Sequence, residues 1–185
     1  MPSLSDSDAV GTALLATFQR QFAQYKALAD AALAQLTDAE WLHRPAPGAN
    51  SAAVIVQHVA GNLRSRFTDF QTTDGEKPGR RRDREFDEPP SAAAVPVLRQ
   101  EWEAAWGVLF AVLDGLRPAD LLAPVTIRGE AHSVLAAVQR QMTHYAYHAG
   151  QLVQLAKTLR AEDFACLSIP RGQSEQFNQR LAGGR

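Results

Sequence analysis

The sequence predicts an all-α protein, a four-helix bundle whose helices run up-down-down-up. Apolar residues recur every three or four positions in four separate segments, which is the period of helices that bury one face. No segment has the pattern of a convincing sheet strand. Connections after the first and third helices are short, whereas residues 72–90 form a connection long enough for helices 2 and 3 to run parallel.

The first helix is predicted over about residues 7–35. The second begins after Asn50, a favourable N-cap residue, and ends at the turn-forming residues 72–75. Residues 72–90 then carry three prolines, two glycines and many charges, with no helical or strand period. This composition predicts a long irregular connection.

Ser91 is a plausible cap for the third helix. Pro96 would then lie slightly late in the first turn, so the helix could instead begin near Val95 or bend there. Residues 125–129 predict a short extended or hairpin-like piece. Ser133 is the predicted N-cap of the fourth helix, which ends near Arg160.

We expect a single domain over residues 1–185, with an irregular C-terminal tail from about residue 161. The longest uncharged apolar stretch covers residues 104–113, which is too short to span a bilayer. Nineteen Lys and Arg residues against 20 Asp and Glu residues give a net charge of −1. Binding to nucleic acid or to an anionic membrane is therefore not expected.

Cys166 is the single cysteine, which excludes an internal disulfide and suits a reducing compartment. The first ten residues, MPSLSDSDAV, lack the basic residues and apolar run of a signal peptide. From these two features we expect a cytoplasmic protein.

His144 and His148 on the fourth helix are the residues that most strongly suggest a functional site. A spacing of four places two imidazoles on nearly the same side of a helix, ~6 Å apart along its axis, so that both can bind one cation. His58 on the second helix occupies the same position relative to its apolar stripe, and antiparallel neighbours would turn these positions toward each other. The alternative is that the pair on helix 4 is partly buried polar packing and that His58 bonds a neighbour or water.

Four segments together resemble the DinB/YfiT-like superfamily. More closely, they are similar to an uncharacterised subfamily that carries the long crossover between helices 2 and 3, and the resemblance covers nearly the whole chain. The segments are residues 50–62 (NSAAVIVQHVAGN), 67–78 (FTDFQTTDGEKP), 144–151 (HYAYHAGQ) and 168–174 (SIPRGQS).

This resemblance implies a four-helix bundle and a divalent metal ion, most often nickel or zinc, held by His58, His144 and His148. Sites of three imidazoles accept several first-row ions, so iron and manganese are also compatible. The superfamily contains transferases and isomerases that use low-molecular-weight thiols, and many members without a known reaction. Its members are often homodimers, which we also expect here.

Further candidate residues have ordinary structural readings. Cys166 has no activating cation nearby in sequence, and the arginine-rich residues 79–85, interleaved with acids, are interpreted as a solvated loop. His43 and His132 are interpreted as surface histidines, and Asn62 and Gln151 as polar residues beside the ligands. Trp102, Trp106 and Phe110 are interpreted as core or dimer-interface aromatics.

Three functional hypotheses follow. The first is a metal-dependent enzyme that transfers a low-molecular-weight thiol to an electrophilic small molecule, with metal-dependent hydrolysis as its nearest rival. The second is a non-catalytic metal-binding, stress-associated protein. The third, a DNA-associated repair factor, has the least support. No residue beyond the histidines is identified as a general base.

Overall fold

The computed structural model describes residues 6–183, and the chain is mostly helical. The start of the sequence, where we expect no signal peptide, lies partly outside this range, as do the last two residues. The described elements are α1 Asp6–Leu33, α2 Ala52–Phe67, α3 Val95–Gly115, β1 Pro124–Ile127, β2 Glu130–Ser133, α4 Val134–Arg160 and α5 Ser174–Gly183.

The starts of α2 and α4 follow from their capping residues. The Ser133 hydroxyl accepts a hydrogen bond from the Ala136 amide at 3.1 Å, as predicted. In α2 the cap is Ser51 rather than Asn50, and its hydroxyl accepts from the Val54 amide at 3.2 Å. Helix α3 begins at Val95, so that Pro96 lies in the first turn, where a missing amide hydrogen costs no helical hydrogen bond.

A two-stranded antiparallel sheet lies where the sequence predicts a short extended or hairpin-like piece, and it is a small addition to a mostly helical chain. In this hairpin Val125 faces His132 and Ile127 faces Glu130. Arg128 and Gly129 both have positive φ, 57° and 75°, as a tight two-residue hairpin turn requires. The second strand was not predicted, because four residues per strand leave too little pattern to identify a sheet.

The C-terminal tail is more regular than expected. Residues 174–183 form α5, whose residues are all outside the core. This segment combines an acidic first turn at Glu175 with good helix formers such as Gln176 and Leu181. Its lack of a buried apolar stripe is the reason that periodicity did not predict it.

An aromatic cluster forms the centre of the core and joins three helices. The ring centroids of Phe22, Trp106 and Tyr145 lie 5.5–6.5 Å apart in edge-to-face or tilted contacts. Trp102 is also buried, and its indole N–H donates to Asp30 at 2.7 Å. Both tryptophans therefore belong to the core rather than to an exposed interface.

Side-chain contacts join neighbouring helices, and those between α1 and α3 pair residues in opposite order along the chain. Between α1 and α3, Lys26 contacts Glu103 while the earlier Gln19 contacts the later Asp114. Between α2 and α4, the Tyr145 hydroxyl donates to Asn62 at 2.9 Å. Among residues 6–183, no helix is both long and apolar enough to span a bilayer.

The connection between α2 and α3 folds back onto α2. It contains a short 3-10 helix, Arg82–Phe86, that packs against α2. Gly61 lies under this contact, because a Cβ at that position would overlap the Glu85 carboxylate. Residues 79–85, which the sequence predicts to be a solvated loop, are thus partly packed against α2.

Candidate metal centre

Three histidine side chains from two helices converge at one point. His144 Nε2 lies 3.0 Å from His148 Nε2 and 3.3 Å from His58 Nε2. One ring nitrogen from each histidine lies within 4.8 Å of the other two. The three residues singled out in the sequence are therefore the three that the fold brings together.

The helices place these side chains for local reasons. His144 and His148 are one turn apart on α4 and therefore point from the same side. One turn along α2 from His58, Asn62 accepts the hydrogen bond from the buried Tyr145 hydroxyl, which fixes α2 against α4 beside the histidines. Burial raises the pKa of the Tyr145 phenol above its ordinary value, so the hydroxyl remains a donor.

His58 is oriented by a carboxylate from the connection between α2 and α3. Its Nδ1 lies 2.9 Å from Glu85 Oε2. Arg80 binds the same carboxylate through two nitrogens, each at 2.8 Å. Burial by itself raises the pKa of Glu85, but the hydrogen bonds from His58 and Arg80 hold it below its ordinary value. An ionised Glu85 only accepts hydrogen bonds, so His58 donates from Nδ1, and in the neutral form of His58 the lone pair is then on Nε2.

His148 is oriented in a similar way by an amide. Its Nδ1 lies 2.8 Å from Gln151 Oε1, and Gln151 Nε2 donates to the Tyr147 hydroxyl at 3.0 Å. Because the amide oxygen accepts, His148 also donates from Nδ1 and keeps a lone pair on Nε2. Gln151, a candidate from sequence, therefore contacts the centre directly.

The environment favours neutral imidazoles. Burial, reinforced by His148, His58 and nearby arginines, lowers the pKa of His144 to about 3. Burial and His58 likewise lower the pKa of His148 to about 4, although the hydrogen bond to Gln151 opposes this change. Both rings are therefore uncharged at pH 7, which is the form that binds a metal ion.

The donor set fits a divalent cation. His144 Nε2 can donate to only one neighbour, so the lone pairs of His58 and His148 cannot both be satisfied within the cluster. Two nitrogens bound to one tetrahedral zinc ion lie ~3.3 Å apart, close to both observed separations. The three histidines could therefore hold one metal ion.

Sequence reasoning missed Glu85 and Arg80. Both were assigned to a solvated loop, yet the side chain of Arg80 is only 4% exposed. Phe86 was the available signal, as the sole aromatic residue in the connection of residues 72–90. Its ring packs on His58, with centroids 4.8 Å apart, and holds the 3-10 helix against the centre.

Other candidates lie outside the cluster. His43 is exposed directly after a short 3-10 helix, Glu40–Leu42. His132 lies on β2, with Nε2 at 4.0 Å from a Glu130 carboxylate oxygen. Cys166 is exposed after α4, with Sγ at 3.8 Å from the Ser168 hydroxyl. None of the three belongs to the histidine group.

Comparison with known proteins gives one match. The model of a family described as "Protein of unknown function (DUF1572)" matches residues 9–173, which include all three histidines and Glu85. No curated protein and no solved structure matches the chain.

Proposed function

The chain belongs to this family of unknown function, and we propose that it is a divalent-metal-dependent enzyme that transfers a low-molecular-weight thiol to an electrophilic small molecule. The proposal combines the three-histidine group with the resemblance of the sequence to the DinB/YfiT-like superfamily. Zinc and nickel are the ions we expect His58, His144 and His148 to hold.

The observation that carries the proposal is an opening beside the histidines. A cavity of about 230 Å³ is lined by His58 and His144. Catalytic sites with three protein ligands leave a position for substrate, whereas structural sites are closed by a fourth ligand. Within residues 6–183 the group contains three potential ligands and no fourth. A site built for catalysis is therefore favoured over a purely structural one.

A bound divalent ion would supply positive charge that favours the thiolate form of a substrate thiol at neutral pH. The protein's part is to keep His144 and His148 neutral, so that they can bind the ion, and a neutral imidazole ligand does not cancel the charge of the ion. Glu85 and Gln151 hold His58 and His148 in the required tautomer by accepting hydrogen bonds from their Nδ1 atoms. Phe86 covers one face of His58 and limits the access of water.

The test is a comparison of reactions with and without metal. Metal-free and metal-loaded protein would be offered a panel of cellular thiols with a chromogenic electrophile, and in parallel a set of esters and amides. We expect thiol transfer that depends on loading, is abolished in His148→Ala and is retained in His43→Ala, which changes an exposed histidine outside the group.

Two other outcomes would contradict the thiol-transfer proposal. Hydrolysis that alone depends on loading and on His148 would identify a metal-dependent hydrolase. Metal binding without either reaction would favour the second hypothesis, a non-catalytic metal-binding protein associated with stress.

The remaining expectations from sequence stay part of this proposal. The up-down-down-up order is supported by the contacts of α1 with α3, which pair residues in opposite order along the chain. A cytoplasmic homodimer that acts on small molecules, without nucleic acid or membrane partners, is proposed from the resemblance, composition and charge. Light scattering at micromolar concentration tests the dimer, and a monomeric mass would remove it.

A further inference from the structure

The cavity beside the histidines is strongly basic. His58 and His144 form one wall, and no carboxylate is among the described residues that line it. Five arginines from α2, the connection after it, the hairpin turn and α4 contribute the charge: Arg66, Arg80, Arg82, Arg128 and Arg140. Four separate parts of the chain thus bring guanidinium groups to one small space.

Nearby carboxylates do not balance these charges. Glu76 is shared by three of the arginines, at 3.0 Å from Arg66, 2.9 Å from Arg128 and 3.5 Å from Arg80. Glu85 binds Arg80 and His58. With the exposed Asp83 beside Arg82, five guanidinium groups therefore have three carboxylates as ion-pair partners, and the excess positive charge is concentrated next to the proposed metal position.

Two of the arginines have no structural partner that explains them. Arg140 is exposed on α4 and has no ion pair or side-chain hydrogen bond within residues 6–183. Arg82 has only Asp83, at 3.8 Å and fully exposed, besides its contact over the Phe86 ring at 5.0 Å. Neither guanidinium forms an ion pair or hydrogen bond with α2 among the described residues.

The inner wall also carries unused hydrogen-bond donors. Arg66 Nε is buried without a hydrogen-bond partner among the described residues, and Arg80 Nη1 has only the Glu76 carboxylate at 3.5 Å, although both side chains are only 4% exposed. Because buried donors normally have a partner, these N–H groups beside a cavity are available to a molecule that accepts hydrogen bonds.

We propose that this cavity binds an oxyanion group, a carboxylate or a phosphate, on a small-molecule substrate whose reacting atom lies at the three histidines. Guanidinium groups present paired donors that match the geometry of such oxyanions. A cavity of about 230 Å³ suits a small organic anion or the charged end of a larger one. This inference rests on the proposed function in one respect: it takes the anion to be part of the substrate of the proposed enzyme.

The experiment measures anion binding by calorimetry on the full-length chain freed of metal, at low ionic strength. Succinate and inorganic phosphate are the probes, and uncharged succinamide is the control ligand. Arg140→Gln and Arg82→Gln are tested separately, since Arg140 has no side-chain partner among the described residues and Arg82 contacts only Asp83 and Phe86 of its own 3-10 helix. Arg20→Gln is the matched control, because Arg20 is exposed on α1, away from the cavity, and loses the same charge.

We expect at least one of the two anions to bind wild-type protein, and succinamide to show no binding. Each cavity substitution should weaken binding about tenfold, as expected for one charge-assisted contact. Arg20→Gln should bind like wild type, because it loses the same charge outside the cavity. The stronger anion then shows whether the site prefers carboxylate or phosphate.

The proposal is overturned if neither anion binds, or if Arg20→Gln weakens binding as much as the cavity variants do. It is also overturned if anions bind only after metal loading and the arginine variants are unaffected, because the metal alone would then be the anion site. Zinc affinity measured on the same proteins reports separately on the metal centre, so failure of one site is distinguishable from failure of the other.

Discussion

Glu85 is the residue on which the orientation of His58 depends. It accepts the His58 Nδ1 hydrogen bond at 2.9 Å while Arg80 binds both of its oxygens. Replacing it with glutamine keeps the size but removes the charge that selects the tautomer. We expect Glu85→Gln to weaken zinc binding about 10- to 100-fold in a chelator competition assay.

Asp83→Asn is the control for this change. It removes the same charge two residues away, from a side chain that is fully exposed. Its zinc affinity should match wild type. Equal affinities for Glu85→Gln and wild type would show that the carboxylate does not support the histidine.

Tyr145 and Asn62 form the polar link between α2 and α4. Tyr145→Phe would leave the buried Asn62 oxygen without its donor, because the Tyr145 hydroxyl is the partner that it has at 2.9 Å. We expect the free energy of unfolding to fall by about 1–3 kcal/mol, measured by urea denaturation. Tyr25→Phe, which removes a hydroxyl that has no hydrogen-bond partner among the described residues, should change it little.

At the scale of single residues, the sequence predicts site residues only where they lie at a fixed spacing on a helix. Helix spacing pointed to His144 and His148, whereas His58 was added by its matching position on helix 2 together with the resemblance to the DinB/YfiT-like superfamily. Glu85 and Arg80 were not predicted, because their connection has no period that would reveal which of its charges turn inward. Only the fold shows that Phe86 and Gly61 bring that segment against α2.

The contact between α2 and the connection that follows it depends on a missing side chain. Glycine in a helix interior normally costs about 0.5–1 kcal/mol relative to alanine. At Gly61, however, an added Cβ would overlap Glu85. We expect Gly61→Ala to yield no gain in stability and to weaken zinc binding by displacing Glu85.

Gly107→Ala provides the comparison within α3. A Cβ at Gly107 would meet nothing within 4 Å, so this change should raise the free energy of unfolding by about 0.5–1 kcal/mol and leave zinc binding unchanged. Thermal unfolding together with metal titration measures both effects. Identical behaviour of the two variants would show that Glu85 does not depend on Gly61.

The hairpin is joined to the same connection by one aspartate. Asp74 accepts backbone hydrogen bonds from Arg128 and Gly129, each at 2.8 Å, and from Glu76. These bonds lower the pKa of Asp74. Long helices with a clear stripe were predicted to within a few residues, whereas α5 was not predicted and the hairpin was predicted only as a short extended or hairpin-like piece, because both elements are too short to show a clear period.

At the scale of the whole molecule, a bound metal ion should stabilise the folded chain, because the three ligands come from helices that are together only when folded. At a free zinc concentration about 100 times the dissociation constant, the expected gain is about 2.7 kcal/mol. Thermal unfolding with zinc should therefore occur at higher temperature than with a chelator. The variant with all three histidines replaced by alanine should show no such difference.

The central claim is that this fold builds a metal site from His58, His144 and His148, and elemental analysis tests it most directly. Protein would be purified without added metal or a polyhistidine tag, beside the triple-alanine variant and His43→Ala. We predict about one divalent first-row metal ion per chain in wild type and in His43→Ala, and none in the triple variant. Metal-free wild-type protein that also takes up no metal ion on titration, or equal metal content in the triple variant, would contradict the claim.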